Sequence, residues 1–451
     1  MSIRERYEAY REAVERETYR FRSGQRSSLE LEEIDDRFGD VTGGGELDEL
    51  DSRAESGFTS EEREGSQRLG NGVRSAVVDA KLRRTTRELC EREAAYRFRV
   101  DREERTLYAW QVALGAERQT EQRERIQRGL ESAWAELNPL REESFTRRAE
   151  ALRDLGFETG RHWCEALHPG VDYPLWRRHA EVLLERTEAV YRDAMSKGLT
   201  TLGVDPGGAH PGDAAALFRW VLLDRLFPAS RLVEALDFTT EGMRIRLADV
   251  PGVSVDAEPR PSKHPRACCV APSIPGEVHV LFHPRGGVQD YESLFHEAGH
   301  ALHFGFTSAA LPVERRCLFD PALTETWAFL LHYRISDPEW LATSPASGRA
   351  DEVVAGLRLE KLFLLRRYAS KVLYELELVD LAAGESPRPL AGRYAEELGR
   401  GTGLRYGEAG YLVDTDPDLY AVDYLRAWCL EAQLVESLRE RFGRRFWKTR
   451  G

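Results

Sequence analysis

The residues best suited to chemistry lie in one short stretch, Asp290 to Phe304, with the sequence DYESLFHEAGHALHF. It contains two histidines four residues apart, His296 and His300, with Glu297 directly after the first. On an α-helix this spacing puts the two imidazoles about 40° apart on one face, where their ring nitrogens can hold one tetrahedral zinc ion. Glu297 is offset by about 100° and can reach a metal-bound water without being a ligand. The motif therefore predicts metal-assisted hydrolysis.

A third zinc ligand must come from elsewhere in the chain, because a catalytic zinc site has three protein ligands and one open position. Six residues beyond His300 is Phe306, so the extended motif that supplies a third histidine there is absent. The candidate is then a carboxylate on a later element. Glu325 lies 25 residues after His300, early in a predicted helix whose apolar residues suit it to pack against the first.

The elements that must position these side chains are predicted from hydrophobic periodicity. The stretch EVHVLF, just before the histidine motif, alternates like a strand, and residues 240–282 form the only convincing β-sheet region. Helical spacing follows, in the zinc helix to about residue 304 and then in further segments at 321–335, 355–382 and 420–442. We predict a mainly α protein with one small β-sheet beside the zinc helix.

The N-terminal part of the chain is predicted as a helical lobe. Residues 1–33 and 75–155 have apolar side chains at helical spacing among many charges. Between them, residues 35–72 are weakly apolar with a GDVTGGG centre, which indicates a mobile loop. A Gly- and Pro-rich stretch follows near residue 200. We therefore divide the chain into an N-terminal helical lobe, 1–200, and a catalytic domain, 201–451.

Composition narrows the classes of partner. The 451 residues include 64 Lys and Arg against 77 Asp and Glu, a net charge of −13, which argues against broad nucleic-acid binding. The sequence contains no run of about 18 apolar residues, so it predicts no membrane span. Its charged N-terminus is unlike a signal peptide. The 6 cysteines are too sparse for a disulfide framework. We expect a cytoplasmic protein with no membrane or nucleic-acid partner, and its oligomeric state stays open.

The segment HEAGHALH, with Glu325 further on and Glu292 four residues before His296, closely resembles the thimet oligopeptidase and oligoendopeptidase F family of zinc metallopeptidases. Upstream, KHPRACCVAPSIPGEVHVLFHPRGG resembles the run of that family into its zinc helix, where a strand edges the substrate cleft. The clear match covers about residues 240–335. The resemblance implies a multi-helix, clam-like shell around a deep channel that admits peptides and excludes folded proteins.

The resemblance also implies roles for individual residues. His296, His300 and Glu325 match the ligands of one Zn²⁺ per chain, and Glu297 matches the general base that acts on a zinc-bound water. Glu292, one turn before His296, can accept the proton-bearing nitrogen of a ligating histidine and fix its tautomer, or it can be a solvated charge favoured by the helix dipole.

His303 lies on the same helix face, seven residues after His296, but too far along the axis to join the same metal. A packing role or support of a ligand is expected for it.

Two tyrosines near the C-terminus are candidates for stabilising the oxyanion. The resembling family carries a His- and Gly-containing segment followed by tyrosines that face the scissile carbonyl, and DTDPDLYAVDYLRAW is the corresponding stretch here. Tyr420 and Tyr424 are four residues apart and so share a helix face. No histidine follows His332, which departs from the family pattern. Each tyrosine is alternatively an amphipathic core residue.

The leading functional prediction is a zinc metallopeptidase, or oligopeptidase, that hydrolyses short peptides. One alternative is a helical metallocarboxypeptidase, which also uses the histidine motif with a distant glutamate. That family normally places the glutamate in a His-Glu-Ser context, whereas Glu325 here lies between Thr324 and Thr326. A second alternative is a noncatalytic peptide-binding protein of the same fold.

Overall fold

The computed structural model describes residues 1–57, 59–219, 223–260 and 262–449. It is 69% helical, and its described strands form two small sheets. The prediction of a mainly α fold is therefore confirmed. Among the described helices, none combines the length and the apolar character needed to span a bilayer.

The described helices are, in chain order, α1 (Ile3–Arg22), α2 (Glu32–Arg37), α3 (Gly39–Thr42), α4 (Leu47–Ser56), α5 (Ser60–Ala95), α6 (Leu107–Ala116), α7 (Thr120–Asp154), α8 (Gly160–Leu167), α9 (Tyr173–Thr201), α10 (Pro211–Leu217), α11 (Leu232–Glu241), α12 (Val288–Gly305), α13 (Val313–Arg316), α14 (Pro321–His332), α15 (Pro338–Leu341), α16 (Ala350–Leu378), α17 (Ala391–Thr402) and α18 (Tyr420–Phe442). The described strands are β1 (Arg97–Val100), β2 (Glu103–Thr106), β3 (Val253–Asp256), β4 (Cys268–Ser273) and β5 (Glu277–Leu281).

The chain folds as two compact units, each built from separated segments. The first unit comprises residues 1–80, 221–354 and 426–451, and the second comprises residues 81–220 and 355–425. The structure thus divides the chain differently from the predicted single boundary near residue 200, with its lobe at 1–200 and catalytic domain at 201–451.

The hydrophobic cores explain why each unit contains segments that are far apart in the sequence. In the first unit, Val313 is buried in one cluster with Tyr7 and Leu69 from the N-terminal segment. In the second unit, Phe145 packs against a cluster that contains Tyr374 from the C-terminal half. Because each core joins residues distant in sequence, composition along the chain does not reveal the division.

Helix α1 is shorter than predicted. Ser2 caps its start, accepting a hydrogen bond from the backbone of Glu5 while the Glu5 carboxylate accepts one from the backbone of Ser2. The helix ends at Arg22, and Gly24 follows with a left-handed φ of 76°. The prediction of one helix through residue 33 is therefore wrong beyond Arg22.

The loop predicted at residues 35–72 is wrong as well. Most of this stretch is helical, from α2 to the first turns of α5, although Phe58 lies outside the described residues. Val41, Leu50 and Leu69 are buried in the cluster that α1 completes. Each of the short helices α2, α3 and α4 buries only one or two side chains and exposes polar ones. The average hydrophobicity of the stretch is therefore low, which is why the sequence did not indicate helices.

The described strands form two sheets, of which one is the sheet predicted within residues 240–282 and the other was not predicted. Strands β1 and β2 form an antiparallel hairpin within a stretch predicted to be helical, and Asp101 in the turn has a φ of 53°. The second sheet has the order β3-β5-β4, with β3 parallel and β4 antiparallel to β5. Strand β5 confirms the strand predicted from EVHVLF, and β4 forms an edge of its sheet that contacts both α1 and α12.

Candidate metal centre

Helix α12 carries the histidine motif and is fixed at both its start and its apolar face. It begins after Gly287, whose φ is 96°, and the carboxylate of Asp224 accepts a hydrogen bond of 3.2 Å from the backbone of Val288. On the apolar face, the ring of Phe295 meets that of Trp340 edge to face at 5.9 Å. These contacts set the rotation of the helix and therefore the direction of the histidine face.

Gly299, between the two histidines, lets helix α14 approach α12 closely. A Cβ atom at this position would lie 2.4 Å from the carbonyl oxygen of Trp327 and 2.5 Å from the Cα of Ala328. Real Cβ contacts are essentially never that short, so only glycine fits without moving one helix. The close approach brings Glu325, on α14, to the histidines.

Three predicted ligands converge. The ligand atoms of His296, His300 and Glu325 all lie within 4.8 Å of one another. The Nε2 atoms of the two histidines are 3.3 Å apart, and the two carboxylate oxygens of Glu325 lie 3.5 Å from His296 Nε2 and 3.7 Å from His300 Nε2. Glu325, which the sequence analysis selected as the third candidate ligand, thus lies beside both histidines.

A hydrogen bond orients one of the two imidazoles. The Nδ1 atom of His300 lies 2.8 Å from the hydroxyl oxygen of Thr324, which is on α14 next to Glu325. This contact leaves Nε2 of His300 directed toward the carboxylate. The sequence analysis noted Thr324 only as a neighbour of Glu325, because its contact depends on how α12 and α14 pack.

The surroundings of both histidines favour the neutral imidazole. Burial, and then the neighbouring His332, lower the pKa of His296 to about 3. Burial likewise lowers the pKa of His300 well below its ordinary value, with His296 and His303 adding to the effect. A neutral imidazole is the form that binds a metal ion, so the ring nitrogens are available as ligands.

Glu297 is half-buried and interacts with Cys269, on strand β4, and with Glu325 of the candidate metal-ligand cluster. Burial raises the pKa of its carboxyl to about 7, a hydrogen bond from the backbone of Cys269 lowers it in part, and the charge of Glu325 raises it further. A carboxyl group with a pKa near 7 can both accept and return a proton at neutral pH. Cys269 is a contact that the sequence analysis did not single out.

Glu292 lies next to a histidine that was not among the predicted site residues. Its carboxylate oxygen is 3.6 Å from Nε2 of His332, and burial raises the pKa of Glu292 to about 8. The ring of His332 in turn meets that of His296 at 5.7 Å. His332 follows Glu325 by seven residues on α14, a helical spacing that could have identified it. The proposed contact of Glu292 with a ligating histidine stays a prediction.

His303 packs in an aromatic environment on the same helix. Its ring lies 5.4 Å from that of Phe304 and 5.2 Å from that of Phe319. Burial lowers its pKa to about 4. His303 does not belong to the converging group of three ligands. These contacts suit the packing role expected for it.

The two predicted oxyanion donors, Tyr420 and Tyr424, belong to the second unit, whereas the metal-ligand cluster belongs to the first. Their rings meet edge to face at 5.1 Å, as predicted for residues that share a helix face, and the ring of Tyr424 also lies 4.8 Å from that of Tyr368. Both side chains are half-buried. Their role as hydrogen-bond donors to substrate stays a prediction.

Comparison with known proteins gives fold relatives but no sequence relatives. No protein-family model matches the chain, and no curated protein matches it. Solved structures do match. A Bacillus anthracis (strain Ames) protein assigned as an oligoendopeptidase F has a TM-score of 0.62 at 13% identity, with 93% of this chain and 79% of that one covered.

Two further structures agree. PZ peptidase A in complex with an inhibitor has a TM-score of 0.69 at 14% identity, covering 93% of this chain and 80% of that one. Another protein assigned as an oligoendopeptidase F, in crystals grown by microfluidic seeding, has a TM-score of 0.59 at 14% identity, with 91% of this chain and 78% of that one covered. The fold of this chain is therefore the fold of these peptidases, and the resemblance read from the sequence is confirmed at that level.

Proposed function

We propose that this protein is a zinc-dependent metallopeptidase that hydrolyses short peptides. The observation that carries the proposal is the convergence of His296, His300 and Glu325 in one cluster, with Glu297 beside them. The fold shared with oligoendopeptidase F and PZ peptidase structures supports peptides as the substrate class.

The donor set fits zinc. Two imidazole nitrogens and one carboxylate oxygen are the ligands of many catalytic zinc sites, and three protein ligands leave one position open. The lowered pKa values of both histidines suit metal ligands, because they favour the neutral form. A ligating histidine usually has a partner at its other ring nitrogen, and Nδ1–H of His300 can donate to the Thr324 hydroxyl while Nε2 faces the metal. His296, His300 and Glu325 would hold one ion per chain.

A bound zinc ion would supply a Lewis acid that polarises the scissile carbonyl and makes a water molecule more acidic. Glu297 takes the proton of the attacking water and then delivers it to the nitrogen of the leaving amine, so the proton is conserved across the reaction. Burial around Glu297 keeps its affinity for a proton high enough for the second transfer.

Tyr424, with Tyr420, is proposed to donate a hydrogen bond to the oxyanion that forms when water attacks the carbonyl. One such donor in an active site is typically worth about 10²-fold in rate. The predicted cleft, the cytoplasmic location and the lack of nucleic-acid or membrane partners are parts of the same proposal.

A peptide library cleaved by the purified protein and read by mass spectrometry tests the proposal directly. We expect cleavage of short peptides that a chelator abolishes and added zinc restores, with about one zinc per chain by metal analysis. Glu297→Gln should keep the zinc and lower turnover by at least about 10²-fold. A chelator-resistant activity, or full activity in Glu297→Gln, would rule the mechanism out.

A further inference from the structure

The segment that leads into helix α18 is strained. Asp418 and Leu419 have φ values of 56° and 59°, a left-handed conformation that non-glycine residues rarely adopt. Two such residues in succession, directly before Tyr420, cost free energy and persist only where surrounding contacts enforce them. We call residues 414–419 the aspartate segment, after its three aspartates at alternate positions.

The outer two aspartates are held by side chains of the second unit. Asp414 accepts a hydrogen bond of 3.2 Å from the hydroxyl of Tyr394 and another from Arg367. Asp418 accepts one of 2.9 Å from the indole of Trp163 and another from Arg148. The strained backbone is thus anchored through its carboxylates.

The central aspartate is held by a buried lysine. The ammonium group of Lys371, on α16, lies 2.6 Å from a carboxylate oxygen of Asp416 and 3.5 Å from one of Asp414. It also lies 3.7 Å from the carboxylate of Glu375, which accepts a hydrogen bond of 2.9 Å from the backbone of Asp416. The Lys371 side chain is only 3% exposed, so these ionic contacts are largely shielded from water.

Lys371 also touches the aromatic support of the predicted oxyanion donors. Its ammonium group lies 5.0 Å from the ring centre of Tyr368, one helical turn earlier. The ring of Tyr368 contacts that of Tyr424, which in turn contacts Tyr420. One cation therefore contacts both two aspartates of the segment before the tyrosine pair and the ring beside that pair.

We propose that Lys371 is a positioning residue that fixes Tyr420 and Tyr424 by holding the aspartate segment and the ring of Tyr368. The inference rests on the proposed function, in which these hydroxyls serve the reaction. A buried ion pair is weak evidence for stability, because desolvation offsets much of its attraction, whereas it can select one conformation over others. The left-handed conformation of Asp418 and Leu419, directly before the two tyrosines, is one that needs such selection.

Substitution at Lys371, combined with Tyr424→Phe in a double-mutant cycle, tests the proposal. Lys371→Met removes the charge and keeps the length of the side chain, and we expect kcat to fall at least about tenfold with KM and zinc content nearly unchanged. In the Tyr424→Phe background the same substitution should have little further effect, because its influence passes through that hydroxyl. Lys371→Arg should recover most of the rate.

Arg366→Met is the matched control. Arg366 is a buried cation on the same helix, but it donates to the carbonyls of Leu184 and Gly401 and does not contact the aspartate segment in the described structure. The Arg366→Met substitution should lower the free energy of unfolding without changing kcat. If Lys371→Met does not fold, Asp416→Asn removes the same ion pair while keeping the shape of the side chain. Wild-type kcat in the folded variants, or effects additive with Tyr424→Phe, would overturn the proposal.

A readout independent of activity separates this inference from the proposed function. 3-Fluorotyrosine at position 424 reports the environment of that ring by ¹⁹F NMR, and Lys371→Met should shift or broaden its signal while Arg366→Met leaves it in place. If the protein cleaves no peptide but the signal responds as expected, the proposed function fails and the positioning by Lys371 stands. An unchanged signal in Lys371→Met contradicts the positioning itself.

Discussion

The contact between Thr324 and His300 lies at the residue scale and is expected to orient one of the candidate zinc ligands. Thr324→Val removes the hydroxyl and keeps the shape, so Nδ1 of His300 loses its partner. Loss of such a partner typically weakens metal binding by about 10- to 100-fold. We expect the zinc dissociation constant of Thr324→Val, measured by competition with a chromogenic chelator, to rise by that factor.

Thr326→Val is the control for this change. Thr326 is also buried on α14, but its hydroxyl donates to the carbonyl of Ala322, within the helix. Its replacement should leave zinc affinity within about twofold of wild type, as expected for a residue outside the ligand network. Equal affinity in Thr324→Val and wild type would show that the hydrogen bond does not orient the ligand.

Glu297 also makes the stability of the zinc-free protein depend on pH. Burial raises the pKa of its carboxyl in the folded state to about 7, from an ordinary value of 4.5, so the folded state binds more protons than the unfolded state between these values. Its favourable contribution is complete below the unfolded pKa and is lost as pH rises through the folded pKa.

Because glutamine does not titrate, zinc-free Glu297→Gln should gain about 2 kcal/mol in unfolding free energy relative to wild type between about pH 5 and pH 8. Urea denaturation of both proteins at the two pH values measures it. The neighbouring histidines titrate in both proteins, so their effect cancels in the comparison. A difference that is the same at both pH values would contradict the raised pKa.

The candidate ligands could be predicted from sequence, whereas the contacts around them could not. The sequence motif identifies His296, Glu297 and His300, because all three lie on one helix at a fixed spacing. The structure places Glu325 near the two histidines. Thr324 and Cys269 depend instead on where α14 and β4 lie against α12. Local periodicity contains no information on those distances.

Packing between helices α12 and α14 depends on Gly299. In Gly299→Ala the new Cβ would meet backbone atoms of Trp327 and Ala328, which cannot swing aside as a side chain would. The helices must separate, which typically costs about 1–3 kcal/mol and moves Glu325 away from the histidines. We expect a lower melting temperature and a large loss of zinc affinity, measured by differential scanning calorimetry and chelator competition.

Gly348→Ala provides the comparison, since a Cβ at that position meets nothing within 4 Å. Its melting temperature and zinc affinity should match those of wild type. Should Gly299→Ala retain wild-type zinc affinity, close approach of α14 is not what places Glu325.

Several helices of the C-terminal half were predicted near their observed bounds, whereas the N-terminal hairpin was not. Helix α18 has the predicted bounds of about 420 to 442, and α12 and α14 lie where their patterns indicated. The hairpin of β1 and β2 was missed because RFRV and EERT are dominated by arginine and glutamate, which also suit an exposed helix. Their strand pairing depends on the turn at Asp101 and on contacts with α7, which local composition does not reveal.

For the molecule as a whole, the mainly helical class followed from the sequence, but the arrangement of the chain into units did not. In the first unit, the N-terminal helix α1 packs on β4, an edge strand of the sheet that contacts α12. Arg11, on α1, donates hydrogen bonds of 3.1 and 3.2 Å to the carbonyls of Ala271 and Pro272 on β4. The ring of Tyr19 stacks on that of His279 at 3.8 Å.

This arrangement predicts that residues 201–451, the catalytic domain inferred from sequence, do not fold alone. The fragment lacks α1, so the carbonyls of β4 lose Arg11, and Val313 loses the cluster with Tyr7 and Leu69. A fragment that exposes so many core side chains should lose cooperative unfolding, since it removes part of a shared core. The full chain and the fragment, compared by thermal denaturation and by zinc content after dialysis, test this. Only the full chain should melt cooperatively and retain zinc, and a fragment that does both would show that the N-terminal segment is dispensable for the site.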